Sequence, residues 1–338
     1  MKSEQPILSI IIVNTNDERF LIPCLQSLMQ FENSLSKEVI IVDNHSRNDI
    51  QILLGEKFPD VSVIKLEYNA GFCKANNIGL RAAKGKYVLL LNPDTILNSN
   101  CISSCIEYFE THSNEHIGAV GCRLNNVKGD LQKSFYWGAA TMLHTLQTNP
   151  FYIKLFGYRI KKKFQQRDEQ WFSQISKVDW LCGAFLMMER ETVIEKSFYL
   201  DEDIFLYSDD VVFGNLIRRN GYSVIYYPVT SITHLGGGGT DVSIKKFEQI
   251  MISDWLCMMK IHGKFYFLAN QILLFENIFL NEMFFKKQIL FHHAVVKDLR
   301  EKILRKKTWG LWKKYTFIIL FQYKRKNSSS GKMLKYHA

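Results

Sequence analysis

Neither of the two common glycine cradles for nucleotides occurs in this sequence. No G-x-G-x-x-G follows the first apolar run and no G-x-x-x-x-G-K-[ST] is present, which counts against dinucleotide oxidoreductases and P-loop enzymes. Cysteine is present but unpatterned: Cys24, Cys73, Cys101, Cys105, Cys122, Cys182 and Cys257 are odd in number and form no C-x-x-C pair. Cys101 and Cys105 fall one helical turn apart with no matching His/Cys pair elsewhere. Buried free thiols in a reducing cytosol are therefore expected, in preference to disulfides or a zinc site. The stretch before the first strand-like run, Met1–Pro6, has no apolar h-region, so no secretory signal is expected. No internal repeat is visible.

With 338 residues, 47% hydrophobic and 22% charged, the composition is that of a globular chain, long enough for one large α/β domain with an appendage or for two modest domains. Its net charge of +10 is unevenly placed. Residues 1–243 carry 24 Lys+Arg against 27 Asp+Glu, whereas 244–338 carry 19 against 6, so the basic signal belongs to the tail. A basic tail with interleaved aromatic residues suits nucleic acid or an anionic membrane surface.

From Leu8 to about Thr95, short apolar runs alternate with helix-like stretches: Leu8–Val13, Val39–Val42, Val61–Leu66 and Tyr87–Leu91. Continuous apolar strands alternating with helices predict a mostly parallel sheet buried on both faces. Ligands in such sheets bind beyond the carboxyl ends of the strands. Polar residues gather there after all four runs: Asn14 and Asn16, Asp43 and Asn44, Asn69, then Asn92 and Asp94. Any one of these could be only a turn former or helix cap; all four together point to a shared site. Further on, Ile117–Cys122 leads into a hairpin around Lys128-Gly129-Asp130. Residues 135–177 lose periodicity and read as an insertion near the active face. Val178–Glu189 reads as one buried strand, Asp209–Arg219 as a helix closed by Asn220-Gly221, and Tyr222–Tyr227 as a strand.

Asp94 ends an apolar strand in Leu-Leu-Leu-Asn-Pro-Asp-Thr, where Pro93 breaks the ladder and lets the carboxylate project from the sheet edge. Mg²⁺ or Mn²⁺ bound to a diphosphate needs such a carboxylate, because the ion takes few protein ligands and fills the rest from phosphate and water. The same four residues also suit a turn and an N-cap for a helix near Asn98–Thr111. Asp209 and Asp210 open a helix after Phe205-Leu206-Tyr207-Ser208; they either complement its dipole or supply a general base beside an aromatic approach. His234, ahead of the run Gly236–Gly239, is either a loop histidine or a metal ligand. The four glycines permit close approach to a ligand, and equally a hinge.

Read together, these segments resemble family 2 of the inverting glycosyltransferases, in its bacterial rhamnosyltransferase-like branch. The matching pieces occur in order: Ser9-Ile-Ile-Ile-Val13 with Asn16, Ile41-Val-Asp-Asn44, Asn69-Ala-Gly-Phe72, Asn77-Ile-Gly79, Gly85 to Asp94, Val178 to Ala184, Leu200 to Asp210, and His234. The resemblance covers about residues 8 to 240 and implies a GT-A type α/β fold. It implies that Asp43 contacts the nucleotide base and that Asn69 and Asn77 support the nucleotide and its diphosphate, with Asn16, Gly71 and Asn92 completing the donor site. Asp94 would hold Mg²⁺ or Mn²⁺, assisted by His234. Asp210 would be the base and Asp209 its acidic neighbour, and Trp180, Gly183 and Ala184 would lie beside sugar and acceptor. Three positions depart from the common pattern: the usual Asp-x-Asp is Asn92-Pro-Asp94, Thr15 stands where many relatives carry an aromatic residue, and Val212 stands where an acidic residue often follows the catalytic pair.

The expected organisation is a catalytic domain over 1–243, with a nucleotide-sugar half to about 97 and an acceptor half from 98, followed by a helical region over 244–338. The expected reaction moves rhamnose or another hexose from a dTDP- or UDP-linked donor to a saccharide or polyprenyl-diphosphate-linked acceptor. A non-catalytic nucleotide-sugar-binding protein on the same fold is the alternative. In the tail, Phe265–Phe285 contains Asn270, Gln271, Glu276, Asn277, Asn281 and Glu282, too polar for a spanning helix. Asn270, Asn277 and Asn281 share one helical face, which predicts an amphipathic helix. Trp309–Tyr323, flanked by Arg305-Lys306-Lys307 and Lys324-Arg325-Lys326, has the ingredients of a helix lying in a bilayer interface. The expected partner of the tail is thus an anionic membrane and not nucleic acid, with the protein peripheral on the inner face of the plasma membrane.

Overall fold

The computed structural model describes residues 5–132, 134–136, 172–236 and 244–280, which fall into two compact units. Most of the 135–177 insertion, Gly237 to Gly239, Asn281 and the segment Trp309–Tyr323 lie outside the described residues.

The first unit is built on a mixed sheet with helices on its faces. Strands β1 (Leu8–Asn14), β2 (Lys37–Asp43), β3 (Val61–Lys65) and β4 (Tyr87–Leu91) are joined through helices α1 (Glu18–Phe31), α2 (Ile50–Leu54) and α3 (Phe72–Ala82). They pair in parallel in the order β3-β2-β1-β4. Every residue of β1 and β4 is buried, as the unbroken apolar runs require of strands covered on both faces. The rest of the sheet is β5 (Thr95–Leu97), β6 (Ile117–Asn125), β7 (Leu131–Gln132), β9 (Ser176–Val178), β11 (Phe185–Glu189) and β12 (Ser223–His234). Strands β8 (Phe135–Tyr136) and β10 (Trp180–Leu181) form a separate antiparallel pair. Helix α4 (Cys101–Thr111) packs with α1 over one face of the sheet, where Leu21, Leu25, Leu28, Ile102 and Cys105 share one apolar core with strand residues such as Ile10, Ile12, Leu89 and Val120. Helices α5 (Arg190–Glu195) and α6 (Asp209–Arg219) complete the unit.

Three sequence expectations change here. The run 178–189 is β9, β10 and β11 in succession and not one strand, because Cys182 donates its N–H to Ser134 O (2.6 Å) and the chain turns at Cys182–Ala184. The strand expected over 222–227 continues to His234: Pro228 interrupts the register between Tyr227 and Ser231, after which pairing with β6 resumes. Asp94 is no helix cap, since β5 intervenes and α4 begins only at Cys101. The hairpin is as expected, with Asn126 Oδ1 accepting from Lys128 N and Asp130 N, and with Gly129 at φ 83°. All seven cysteines are free and six are buried.

The N-cap residue of α4, Asn100, makes no side-chain cap. Buried Glu32, just past the end of α1, does so from outside: Oε1 accepts from Ile102 N (2.8 Å) and Ser103 N (3.3 Å), and Oε2 from Ser103 Oγ. A carboxylate at a helix N-terminus satisfies orphan donors and complements the dipole.

The second unit's described part is a helix pair, α7 (Ile244–His262) and α8 (Lys264–Leu280), joined at Gly263 with φ 87°. Trp255 meets Phe267 edge-on (6.4 Å) and His262 stacks on Tyr266 (4.4 Å). On α8, Asn270 and Gln271 are buried, while Phe265 (88%), Leu268 (40%) and Ile272 (61%) are exposed. No helix among the described residues is long and apolar enough to cross a membrane.

Glu32→Ala is expected to destabilise the protein by about 2–3 kcal/mol in urea unfolding, as loss of charge-assisted hydrogen bonds to buried donors requires. A loss below about 0.5 kcal/mol would show that α4 holds its place without this cap.

Candidate active site

The strand order places a topological switch point between β1 and β4: the chain builds outward from β1 to β2 and β3, then returns to β1's other side with β4. Crevices form at such points beyond the carboxyl ends of the strands. Here Asn14 pairs in register with Asp43, and Asn92 follows β4 directly. Each leaves one buried acceptor without a hydrogen-bond partner: Asn14 Oδ1, Asp43 Oδ2 and Asn92 Oδ1. Unsatisfied buried acceptors are costly, and three at the ends of adjacent strands call for a ligand rich in N–H and O–H donors.

The loops around the crevice are held by their own polar side chains. Ser46 Oγ accepts from Asn14 Nδ2 (3.0 Å) and Asn16 N (3.1 Å), Asn16 Oδ1 accepts from Arg47 N, and Asp43 Oδ1 accepts from Ser46 N (2.9 Å). Asn44 donates to Asn69 Oδ1 (2.9 Å), which also accepts from Gly71 N. Gly71, at φ 84°, leaves room for the backbone of Phe205, whose carbonyl accepts from Phe72 N (2.7 Å); any side chain at position 71 would meet that carbonyl. Asn77 faces inward. Fully buried, it donates to Leu200 O and Glu202 Oε1 and accepts from Leu200 N, so its amide is saturated within the protein. Asn77 thereby braces the segment leading to Asp209.

Asp94 and His234 come together although 140 positions separate them in the chain. His234 ends β12 in register with Thr95, Leu235 N donates to Asp94 O, and His234 Nε2 stands 3.3 Å from Asp94 Oδ1. On the other side of the ring, Nδ1 lies 3.0 Å from Gln132 Oε1. An amide oxygen accepts, so Nδ1–H donates to Gln132 and the ring is held with Nε2 toward the carboxylate. Asp94's charge is felt widely: after burial, it is the next cause raising Asp17 at the start of α1, and it contributes to lifting Cys24 to about 12. A site of negative charge with one carboxylate and one imidazole fits Mg²⁺ or Mn²⁺ completed by phosphate oxygens and water. Among the described residues no group of three or more His, Cys, Asp or Glu gathers to hold a metal. Gln132 has no local sequence signature; only the β6–β7 pairing brings it here.

Asp209 and Asp210 begin α6 after two successive residues in the left-handed region, Tyr207 (φ 70°) and Ser208 (φ 57°), an uncommon backbone for non-glycine residues. Burial lifts the Asp209 carboxyl to about 6, and burial followed by the neighbouring Asp209 lifts Asp210 well above the usual range. The N–H groups of Val211 and Gly183 oppose the rise at Asp210. A base tuned toward neutral pH, facing backbone N–H groups, is suited to accept a hydroxyl proton. Gly183 lies beside Phe72 and Asp209 Oδ2. Gly214, in the middle of α6, lets the helix rest on β10; a Cβ there would overlap Asp179 O and the Cα of Trp180. The Asp179–Arg218 ion pair (2.7 Å) secures the same contact. Ala184, expected beside the sugar, is wholly buried in the core and contributes its carbonyl, which accepts from Asn92 N (3.0 Å).

Residues 9–175 match the family model described as glycosyl transferase family 2. Over that segment the chain is similar to family 2 glycosyltransferases. Among curated relatives, it is 29% identical over 114 residues to the minor teichoic acid biosynthesis protein GgaB of Bacillus subtilis, covering 32% of this chain and 12% of that one. It is 24% identical over 233 residues to the low-salt glycan biosynthesis hexosyltransferase Agl10 of Haloferax volcanii, covering 67% of this chain and 66% of that one. The mannosyltransferase PcManGT of Pyrobaculum calidifontis, solved with GDP-Man and Mn²⁺, superposes with a TM-score of 0.50 at 15% identity over 95% of this chain and 85% of that one. The fold is accordingly of the GT-A type. The matched segment includes Asp43, Asn92 and Asp94 but ends before Trp180, Asp209, Asp210 and His234.

The raised carboxyls have a pH consequence. A group whose folded pKa exceeds its unfolded value of about 3.9 penalises the folded state progressively as pH rises through the interval between them. Asp209→Asn removes that penalty, so its melting temperature relative to the parent is expected to gain a few degrees between pH 4 and pH 7. A difference that stays constant across this range would contradict the raised carboxyl.

Proposed function

We propose that this chain is an inverting, divalent-metal-dependent hexosyltransferase of the rhamnosyltransferase-like kind, acting in the assembly of a bacterial surface glycan. The carrying observation is the convergence at one sheet edge of the three unsatisfied acceptors, the Asp94–His234 pair and the Asp209–Asp210 carboxyls. The donor is a dTDP- or UDP-linked sugar. Asp43 Oδ2 accepts from the base, as a uracil or thymine imide N–H requires, while Asn14 and Asn92 turn acceptors into the same crevice. Asn16, Asn69 and Gly71 act through the loops they shape.

Asp94 and His234 would hold the cation, which when bound offsets charge on the diphosphate as it leaves. Asp210 takes the proton from an acceptor hydroxyl, and the resulting oxygen attacks the anomeric carbon on the face opposite the diphosphate, inverting the configuration. Burial, and after it the neighbouring Asp209, keeps the Asp210 carboxyl well above the usual range. Trp180 and Gly183 border the acceptor. The names of the relatives, teichoic acid and glycan biosynthesis proteins, favour a cell-surface product, and a saccharide or polyprenyl-diphosphate-linked acceptor fits that setting.

Purified protein is expected to release nucleoside diphosphate from at least one dTDP- or UDP-sugar only with Mg²⁺ or Mn²⁺ and an acceptor. Asp210→Asn should lower kcat by about 10²–10⁴ while leaving nucleotide affinity within a few-fold. Full activity in that variant would sink the assignment of the base. Nucleotide binding without transfer across a broad acceptor panel would favour a non-catalytic role.

A further inference from the structure

Helix α8 is turned inside out. At 100° per residue, Phe265, Leu268 and Ile272 fall within an arc of about 60°, and all three are exposed. The opposite side of the same helix carries Phe267, Asn270 and Gln271, all buried. A helix that buries two amides and presents Phe265 at 88% exposure gains little from water as its outer solvent. The arrangement is suited to a surface that takes up apolar side chains at one depth.

Charge selects among possible occupants. Residues 244–338 carry 19 Lys+Arg against 6 Asp+Glu, whereas residues 1–243 are slightly acidic with 24 against 27. A second copy carries the same net positive charge over residues 244–338, which opposes its approach. A surface of anionic lipid headgroups is attracted, and it accepts apolar side chains beneath the headgroups. Lys264, exposed at the start of α8, stands next to Phe265 on this approach.

We infer that the Phe265–Leu268–Ile272 face of α8 is a membrane-docking surface that inserts into the interface of an anionic bilayer, with the basic residues of 244–338 supplying the attraction. It fixes the placement of the helix relative to the lipid: α8 lies along the surface with its amide side away from the bilayer. The inference is independent of the chemistry above, since no substrate enters its test, and failure of one leaves the other standing.

The test uses the full chain and sucrose-loaded vesicles of phosphatidylcholine alone or with about one-third phosphatidylglycerol, read by co-sedimentation. The parent is expected to pellet with the anionic vesicles and to partition at least about tenfold less onto the neutral ones. Replacing Phe265, Leu268 and Ile272 together by Ser should lower partition onto anionic vesicles at least about tenfold. Ile52→Ser, at an exposed apolar residue of α2, should leave it unchanged. Because the three side chains are exposed, the triple variant is expected to keep the parent's melting temperature; if it does not, Leu268→Glu alone serves, with the same expected direction. Equal partition of parent and variant, equal binding to neutral vesicles, or no binding by the parent would each overturn the inference. So would a parent dimer that the triple variant converts to monomer, which would give this face to a second copy.

Discussion

At the carboxyl edge of the parallel strands the protein gathers more acceptors than it can satisfy. Asn14, Asp43 and Asn92 each leave an oxygen buried and unmatched, and Asp94 sets its carboxylate 3.3 Å from Nε2 of His234. Such an edge is stable only because the rest of the sheet is not of this kind: β1 and β4 are buried from end to end, and the helices on either face are packed against them. The apolar layers supply the stability that the edge gives up. The unsatisfied edge then becomes a place where a donor-rich, cation-bearing ligand replaces water on favourable terms.

The second half of the site depends on the first through a few long-range contacts. Asn92 N reaches Ala184 O, Phe72 N reaches Phe205 O, and Asn77 holds the backbone of Leu200. These contacts tie the end of β4, just before Asp94, and the helix following Gly71 to the segments that deliver Gly183 and the Asp209–Asp210 pair. Gly214 and the Asp179–Arg218 ion pair then seat α6 on β10. Two left-handed residues before α6 show that its entry is set by these contacts and not by local preference. The carboxyls are raised because the seat is buried, so the same packing that fixes their position also tunes their proton affinity.

Much of this was legible in the chain. Continuous apolar runs gave away the parallel strands, the polar residues after them marked the edge, and helix α6 runs between the bounds expected from Asp209 and the Asn220-Gly221 stop. The failures share a cause. The turn at Cys182–Ala184 is imposed by Ser134 and Asn92 from other segments, and β12 resumes beyond Pro228 because β6 waits in register. Glu32 capping α4 and Gln132 orienting His234 act across 70 and 102 positions and leave no local pattern.

The pairing of a lone carboxylate with an oriented imidazole is the point on which the chemistry turns. Electron paramagnetic resonance of Mn²⁺ titrated into the protein with and without UDP or dTDP measures it directly. Tight Mn²⁺ uptake is expected only with nucleoside diphosphate present, weakened at least about tenfold in Asp94→Ala and by a smaller factor in Gln132→Leu, which frees the His234 ring to change tautomer. Mn²⁺ uptake that is indifferent to Asp94, or that needs no nucleotide, would contradict the account.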